Sequence, residues 1–339
     1  MSNVSFSKGK LTRRQLGAYF GAGAMALSAG ALHEKQPLME FMDGHVRGLR
    51  LIVPNSPGSG YHINAQAMAE ALENADLAHD VEIFNVIGSS GVEGLYRLLG
   101  DTGNSRLLMS MGLGLIGGVI ANNADSSLSE AAPIARLTTE PELILVSANS
   151  PYYNFSDLLK DWKDNPSAVA VGGGSSPGGP DHLTPMLTAE YINLKPKLVR
   201  YVAHDGRGPL LSALLDGKVS FAAAGAGEFA YQLRTGELRA LAVMADSRVK
   251  GLDVPTGREF GVNVEVLNWR GVLGSPGVSL TERSGLEQLI WRLATSAEWK
   301  TYLASNNWQD GYLSPSQFHS FLNVERLRVR QVLGEIGIL

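Results

Sequence analysis

The chain has 339 residues, of which 44% are hydrophobic and 18% charged, and a formal net charge of −4 at pH 7. It contains no cysteine, which excludes disulfides, thiolate metal sites, cysteine nucleophiles and a lipid attached through an N-terminal cysteine. The sequence has no stripe of basic residues of the kind that indicates nucleic-acid binding. The length is sufficient for two domains that each bury a core.

The first 31 residues have the pattern of an export signal. Basic residues between positions 8 and 14 precede an apolar segment at 16–32 that is rich in Gly and Ala. That segment is shorter than the roughly 20 apolar residues that a bilayer span needs. Thr-Arg-Arg-Gln-Leu at 12–16 resembles a twin-arginine signal, and Ala-Gly-Ala at 29–31 fits a cleavage site. We therefore predict a periplasmic or extracytoplasmic protein exported by the twin-arginine route, with an uncleaved membrane anchor as the alternative.

Strand and helix patterns alternate along the rest of the chain. This alternation predicts an α/β fold with mainly parallel, doubly wound sheets, in which ligands bind beyond the carboxyl ends of the strands. The predicted strands are 49–53, 81–86, 106–111, 143–147, 168–171, 197–202, 219–224 and 238–244. The predicted helices include 63–73, 92–99, 155–161, 208–215, 286–294, 298–304 and 316–332. In the last helix, Phe318, Phe321, Leu322 and Leu327 are predicted to face inward.

Turns rich in Gly and Ser follow many of the predicted strands. They lie at 55–61, 88–91, 110–114, 172–179, 206–208 and 225–227. The turn at 172–179 joins a strand to a helix through several glycines, so its backbone N–H groups and the helix dipole form a candidate anion site. Together the turns are predicted to line one cleft. The alternative is that short connections after strands simply favour Gly and Ser.

Several segments resemble the periplasmic substrate-binding receptors of tripartite tricarboxylate transporters. The resemblance spans roughly residues 49 to 330 in the expected order. Its clearest segment is Gly-Glu-Leu-Arg-Ala-Leu-Ala-Val at 236–243. The others are Val-Pro-Asn-Ser-Pro-Gly-Ser-Gly at 53–60, Tyr-Val-Ala-His-Asp-Gly-Arg-Gly at 201–208, Asp-Val-Pro-Thr at 253–256, Glu-Phe-Gly at 259–261, Trp-Arg-Gly at 269–271 and Pro-Gly-Val at 276–278.

The resemblance implies a two-lobe Venus-flytrap fold that closes around its ligand. Lobe 1 is expected at 45–140 plus 267–339 and lobe 2 at 141–266, with hinge strands near 142–148 and 239–245. The implied function is capture of a small carboxylate, most simply a di- or tricarboxylate, and its delivery to membrane permease subunits. The alternative is a receptor for an aromatic carboxylate, an amino acid or a nicotinate-like ligand. The resemblance implies a monomer without catalysis or cofactor.

Carboxylates in this family are held by two loops, which correspond here to 55–62 and 172–182. This chain departs from the family at Ser-Gly-Tyr-His 59–62, at Ser89-Ser90 and at Pro177 and Pro180, and these departures bear on the ligand more than on the fold. The residues predicted to contact the ligand are Ser56, Gly58, Ser59, Gly60, Tyr61, His62, Ser89, Gly112, Gly174, Ser175, Ser176, His182, Arg207 and Gly225.

Each polar candidate has a structural alternative. The serines are also turn and capping residues, and Tyr61 either stacks on the ligand or packs against the other lobe. A histidine at 62, 182 or 204 either pairs with a carboxylate or stays neutral on a backbone partner. Arg207 suits bidentate carboxylate binding but is equally an exposed arginine. Glu228 would repel a carboxylate unless water or an arginine intervenes, and Trp269 is expected to pack near the hinge.

An enzyme and a metal site are remote alternatives. Gly174-Ser175-Ser176-Pro177-Gly178 fits the G-x-S-x-G pattern of serine hydrolases. However, the residue after the nucleophile normally donates its backbone N–H to the oxyanion hole. Here that residue is Pro177, which has no N–H. A metal site built from His62, His182 and His204 lacks a supporting ligand spacing.

Overall fold

The computed structural model describes residues 45–204 and 206–339, and the predicted export signal at 1–31 lies outside them. Within these residues the strands, numbered β1 to β12, are Val46–Arg47, Arg50–Val53, Ala78–His79, Glu82–Asn85, Leu107–Gly112, Ala132–Ser147, Ala170–Gly173, Arg200–Ala203, Phe221–Gly225, Leu238–Met244, Leu267–Gly274 and Gln309–Leu313.

The helices alternate with the strands through most of the chain. Numbered α1 to α11, they are Gly60–Asn74, Val92–Leu99, Leu113–Ala121, Asp125–Leu128, Phe155–Asp164, Pro180–Tyr191, Arg207–Leu215, Ala230–Thr235, Leu280–Thr295, Ala297–Ser305 and Pro315–Glu335. Short 3-10 turns lie at Ser89–Gly91, Pro196–Leu198 and Gly257–Phe260. The α/β prediction is therefore confirmed.

Parallel strands form the two outer parts of the sheet, and antiparallel strands join them. The order is β4-β2-β5-β11-β6-β9-β7-β8, with β10 and β12 also paired to β6. β2 is parallel to β4 and β5, and β7 is parallel to β8 and β9. β6 and β11 are antiparallel to their neighbours. The sheet is thus mixed, because the two parallel parts meet across antiparallel strands.

Strand β6 links the two parts of the sheet. Its residues 132–141 pair with β11, and its residues 142–147 pair with β10. The expected hinge segments at 142–148 and 239–245 are therefore adjacent strands. Their hinge role and the lobe boundaries at 45–140, 141–266 and 267–339 stay predictions.

Four clusters of buried side chains lie on the faces of this sheet. In β9, Phe221 and Ala223 belong to the cluster beneath α5, whereas Ala222 and Ala224 belong to the cluster beneath α7. This alternation follows from the two-residue period of a strand whose two faces are both covered by helices. The other part of the sheet is covered in the same way, by α1, α9 and α10 on one face and by α2, α3 and α11 on the other.

Helix α11 agrees with its predicted start but not with its whole predicted face. Ser314 and Gln317 form a capping box, and Pro315 occupies the first turn. Phe318 and Leu322 are buried, but Leu327 is 71% exposed, so its inward placement was wrong. Leu327 lies on the solvent side of the helix, whose buried residues are Phe318, Leu322, Glu325, Val329, Val332 and Leu333.

Helix α3 was missed because its sequence carries no amphipathic stripe. The segment 113–121 is apolar throughout and contains three glycines, a pattern that predicts a turn or a strand as readily as a helix. It is buried on nearly all sides, and its glycines allow close contacts. A Cβ on Gly117 would lie 2.5 Å from the Gly178 carbonyl carbon, and one on Gly118 would lie 2.5 Å from the Ser90 oxygen.

Gly271 in β11 is predicted to be essential for packing between the sheet and α11. A Cβ at this position would lie 2.5 Å from Phe318 Cζ and 2.7 Å from the Ala135 oxygen. Gly271→Ala should therefore lower the free energy of unfolding by about 1–3 kcal/mol. Gly208→Ala in α7, where no atom lies within 4 Å of the added Cβ, is the control and should change it by less than about 1 kcal/mol. Urea unfolding measures both variants, and equal effects would contradict this packing.

Candidate functional site

The predicted glycine and serine turns meet at a cleft with two adjoining chambers. The large chamber has a volume of about 210 Å³ and the small chamber about 40 Å³. Five residues line both chambers, so the two form one continuous site: Asn55, Tyr61, Gly114, Gly174 and Ser175. The turn at 88–91 and His204 complete the large chamber, whereas Asp181, Arg207, Glu228 and Arg270 line the small chamber.

The first loop is fixed by a helix cap and by Tyr61. Ser59 caps α1, because its Oγ accepts a hydrogen bond of 3.3 Å from the His62 backbone N–H. Tyr61 is buried, and its Oη accepts a 3.0 Å hydrogen bond from Leu115 N. Its ring centroid lies 4.8 Å from the Arg270 guanidinium carbon, a cation–π contact. Tyr61 is therefore a rigid wall shared by both chambers.

The second loop is held by an acid of the chain itself. Gly174 N donates a 2.6 Å hydrogen bond to Asp181 Oδ2, and Tyr201 Oη donates one of 2.8 Å to the Ser175 backbone oxygen. Asp181 lies in the first turn of α6, where the sequence predicted a ligand anion. The Gly174 N–H is therefore already occupied. Ser175 Oγ is buried and has no hydrogen-bond partner in the described part of the chain.

The three candidate histidines do not provide a cation at the cleft. His182 is buried against Tyr201, and its Nδ1 accepts a 3.2 Å hydrogen bond from Gly178 N. Burial lowers the pKa of His182 to about 4, so it is neutral near pH 7. His204 lines the large chamber, and burial lowers its pKa as well. His62 lines neither chamber.

Arg270 is the cationic residue that the sequence reasoning missed. It lies on β11, is 7% exposed and lines the small chamber. Its Nη1 donates to Asn268 Oδ1 and to the Trp269 oxygen at 3.2 Å, whereas its buried Nε has no partner. Within residues 45–204 and 206–339, it forms no salt bridge. A signal was available, since a charged residue in an apolar strand pattern requires a compensating partner.

Two predicted glycines make room for Arg270. A Cβ on Gly60 would lie 2.6 Å from Arg270 Nη2, and a Cβ on Gly112 would lie 3.2 Å from Arg270 Cδ. Gly225 has a related role, because its Cβ would lie 2.6 Å from Glu140 Oε1. These glycines allow charged side chains to lie against the backbone.

Four carboxyl groups lie close enough to Arg270 for its charge to lower their pKa values. Glu140, Glu142 and Asp181 are each at most 4% exposed, and Glu228 is half-buried. Glu140 accepts hydrogen bonds from Gly227 N at 3.1 Å and from Asn268 Nδ2 at 3.4 Å. Both Glu142 carboxylate oxygens lack a partner in the described structure. One arginine therefore lies among four acids in a region shielded from water.

Burial dominates the ionisation of these acids. It raises the pKa of Glu140 and of Asp181 to about 7, and it raises the pKa of Glu142 well above its ordinary value. Burial also raises the pKa of Glu228, which the positive charges of Arg270 and Arg207 counteract. Desolvation is thus the largest influence on the pKa of each of the four acids.

The structure brings together most of the predicted site residues. Those that line a chamber are Ser59, Gly60, Tyr61, Ser89, Gly174, Ser175, Ser176 and Arg207. Those that line neither are Ser56, Gly58, His62, Gly112, His182 and Gly225. Arg207 is exposed, and its Nη1 donates to the Glu228 backbone oxygen at 3.2 Å. The lining residues that lie outside the predicted turns and loops include Pro54, Ile87 and Arg270.

The remote alternatives gain little from this geometry. The nucleophile position of the G-x-S-x-G pattern is Ser176. Among the described residues the hydrogen-bonded histidine rings are those of His45 and His182, whose partners are Asp76 and Gly178, so Ser176 forms no nucleophile–base pair. The one group of described residues with atoms arranged for metal ligation is His45, Asp76 and His79, whose ligand atoms lie within 4.8 Å of one another. The three histidines considered from sequence do not form such a group.

Residues 122–338 match the family model described as tripartite tricarboxylate transporter family receptor, or TctC. The chain belongs to this family. A Bordetella pertussis UPF0065 protein is 24% identical over 304 residues, which is 86% of this chain and 90% of that protein. A UPF0065 protein from Pseudomonas sp. strain P51 is 26% identical over 248 residues, which is 72% of this chain and 71% of that protein.

Solved structures share the fold of this TctC receptor. MatC from Rhodopseudomonas palustris, solved with bound malate, has a TM-score of 0.73 at 22% identity, with 85% of this chain and 99% of that chain covered. An R. palustris protein solved with adipate has a TM-score of 0.76 at 22% identity, with 86% of this chain and 97% of that chain covered. A two-lobe periplasmic binding protein fold is therefore established. The helices among the described residues include none with the length and apolar character for a membrane span.

The raised pKa values predict how the stability of the receptor depends on pH. Because the folded state raises the pKa of Glu140 and Asp181 to about 7, it binds protons more tightly than the unfolded chain does. The resulting stabilisation is complete below the unfolded pKa of about 4 and is lost as the pH rises through about 7. The contribution of these two carboxyls to the free energy of unfolding should therefore fall between about pH 5 and about pH 7.5.

The double variant Glu140→Gln, Asp181→Asn should reduce this fall, since the amides do not ionise and keep an oxygen for Gly227 and Gly174. Glu190→Gln, an exposed position on α6, is the matched control and should keep the wild-type dependence. Urea unfolding at several pH values measures the effect. A fall of wild-type size in the double variant would contradict the role of these carboxyls.

Proposed function

We propose that this receptor captures a small carboxylate in the two-chamber cleft and delivers it to the permease subunits of a tripartite tricarboxylate transporter. The observation that carries the proposal is Arg270. This guanidinium is 7% exposed, lines a chamber and forms no salt bridge within the described residues, so its N–H groups are available to donate to a ligand carboxylate. Arg270 thereby replaces Arg207 as the proposed carboxylate anchor.

The surrounding geometry supports the same proposal. Ser175 Oγ is a buried hydroxyl without a partner, and Tyr61 is a fixed aromatic wall beside Arg270. Ser89, Ser90 and Ser176 add hydroxyl groups around the large chamber. The malate and adipate in the two R. palustris relatives support a small carboxylate as the ligand class.

We propose further that the protein is a monomeric, exported binding protein without catalytic activity. The alternative ligands on the same fold are an aromatic carboxylate, an amino acid or a nicotinate-like compound. A thermal-shift screen of the mature protein tests the function with malate, succinate, adipate, citrate, tricarballylate, glutamate, nicotinate and terephthalate. A ligand at about 100 times its Kd should stabilise the fold by about 2.7 kcal/mol. A stabilising carboxylate supports the proposal, and the lack of a shift with all of them opposes it.

Replacing Arg270 should abolish most of the affinity for the carboxylate found in that screen. Arg270→Gln removes a charged hydrogen-bond partner and should weaken binding at least about tenfold. Arg207→Gln, which removes an exposed arginine at the same cleft, is the matched control and should change the Kd by less than about threefold. Calorimetric titration gives both values, and circular dichroism confirms that each variant is folded. The reverse order of effects would place the anchor at Arg207.

Ser175→Ala should weaken binding of the same carboxylate by about 1 kcal/mol, or about fivefold in Kd. The substitution removes a hydroxyl that has no other partner among the described residues, so it should leave the free energy of unfolding nearly unchanged. Ser212→Ala, on the exposed side of α7, is the control and should leave the Kd at its wild-type value. Unchanged affinity in Ser175→Ala would remove this residue from the site.

A further inference from the structure

We propose that His45, Asp76 and His79 form a binding site for one divalent transition-metal ion, such as Zn²⁺, on the outer face of the β1–β3 strand pair. The site is separate from the cleft, because none of the three residues lines either chamber. The proposal is therefore independent of the ligand that the receptor carries.

The backbone around the two histidines is held by the β1–β3 pair. Val46 N donates a 3.1 Å hydrogen bond to the Leu77 oxygen. Val46 and Ala78 are paired in register and fully buried, so the residues next to them along the strands point to the opposite face. His45 and His79 therefore share the outer face, where their ring centroids are 5.3 Å apart.

Asp76 brings its carboxylate to the two imidazole rings. It lies in the turn between α1 and β3 with a φ of 53°, a left-handed conformation that aspartate and asparagine adopt more readily than most residues. Its backbone N–H donates a 3.0 Å hydrogen bond to the Glu73 oxygen, which fixes the turn to the end of α1. Its Oδ1 lies 3.1 Å from His79 Nε2 and 3.5 Å from His45 Nδ1. One carboxylate oxygen thus reaches both rings.

These spacings suit three ligands of one metal ion. Zn²⁺ binds imidazole nitrogen and carboxylate oxygen at about 2.1 Å, so adjacent ligand atoms around a tetrahedral ion lie about 3.4 Å apart. The two nitrogen–oxygen distances lie on either side of that value, and the three ligand atoms all lie within 4.8 Å of one another. A metal ion therefore fits among the three atoms after small side-chain rotations.

The donor set selects the class of metal ion. Imidazole nitrogens suit Zn²⁺ and the neighbouring transition metals, whereas Mg²⁺ and Ca²⁺ prefer shells made of oxygen. Arg47 on β1 pairs with Asp80 and so leaves Asp76 to the histidines. The Asp76 side chain is 68% exposed and the two histidine side chains are 30% and 35% exposed. Water therefore reaches the remaining coordination positions and completes the shell.

Hydrogen bonds alone are the competing explanation of this cluster. His45 Nδ1 lies 2.5 Å from the Asp76 backbone oxygen, to which a proton on that nitrogen would be donated. A proton on His79 Nε2 would likewise be donated to the Asp76 carboxylate. A bound metal ion takes the place of such protons, because it binds the unprotonated nitrogen. The two explanations differ in whether Zn²⁺ binds through these residues and stabilises their strands.

A bound ion would fasten β1 to the turn that follows α1. Each strand of the pair is only two residues long, so the pair has little stability of its own. The ion would close the 31-residue separation between His45 and Asp76. We therefore expect metal binding to slow the local opening of β1 from β3.

Calorimetric titration of the mature protein with Zn²⁺ tests the proposal. The wild type should bind one equivalent at this site, and Mg²⁺ should not replace it. His79→Gln and Asp76→Asn should each weaken Zn²⁺ binding at least about tenfold, because each removes one of the three protein ligands. Asparagine at position 76 also tolerates the left-handed backbone. His319→Gln, which removes an exposed histidine of α11, is the matched control and should keep the wild-type Kd.

Hydrogen exchange provides a local measurement of the same site. Val46 N and Gly48 N donate across the strand pair, so Zn²⁺ should slow the exchange of both amides in the wild type but not in His79→Gln. Circular dichroism confirms that each variant is folded. Three results would each overturn the proposal: no binding of Zn²⁺, equal Kd values in the wild type and both site variants, or unchanged exchange of these amides with Zn²⁺ bound. None of them would affect the proposed function.

Discussion

The central feature of this structure is a group of charged side chains whose removal from water costs free energy. Arg270 on β11, Glu140 and Glu142 on β6 and Asp181 on α6 are all removed from water. Buried charges require partners, and here four acids face one guanidinium that forms no salt bridge within the described chain. A site of this kind is completed only when protons or a charged ligand enter it. Because of the same desolvation, we expect a ligand that binds at this site to be selected by its charge.

The fold supplies this arrangement by joining two parallel sheets through shared antiparallel strands. β6 runs through both parts, so its Glu140 and Glu142 lie at the junction, and β11 brings Arg270 to the same level. The loops that follow β2 and β7 lead into α1 and α6 and cover the charges from either side. Glycines at 60, 112 and 225 let the charged side chains lie against the backbone.

The architecture and the loops were largely predictable from the sequence, because hydrophobic periodicity and glycine turns are local signals. The buried charges of Glu140, Glu142 and Arg270 were not predicted, because these residues lie within strands and no glycine turn marks them. Glu140 and Glu142 are two residues apart in a strand and so share one face, a signal that was present in the sequence. Which residues lie near that face depends on the order of the strands in the sheet, and hydrophobic periodicity does not reveal that order. Helix α3 was missed for a related reason, as full burial removes the amphipathic pattern.

The most direct test is the crystal structure of this receptor with the carboxylate that stabilises it most. We expect a ligand carboxylate oxygen about 3 Å from an Arg270 guanidinium nitrogen, with Tyr61 and Ser175 in contact with the same ligand. A ligand bound elsewhere, or one whose carboxylate is paired with Arg207 while Arg270 stays unpaired, would contradict the claim that the buried guanidinium is the anchor of the site.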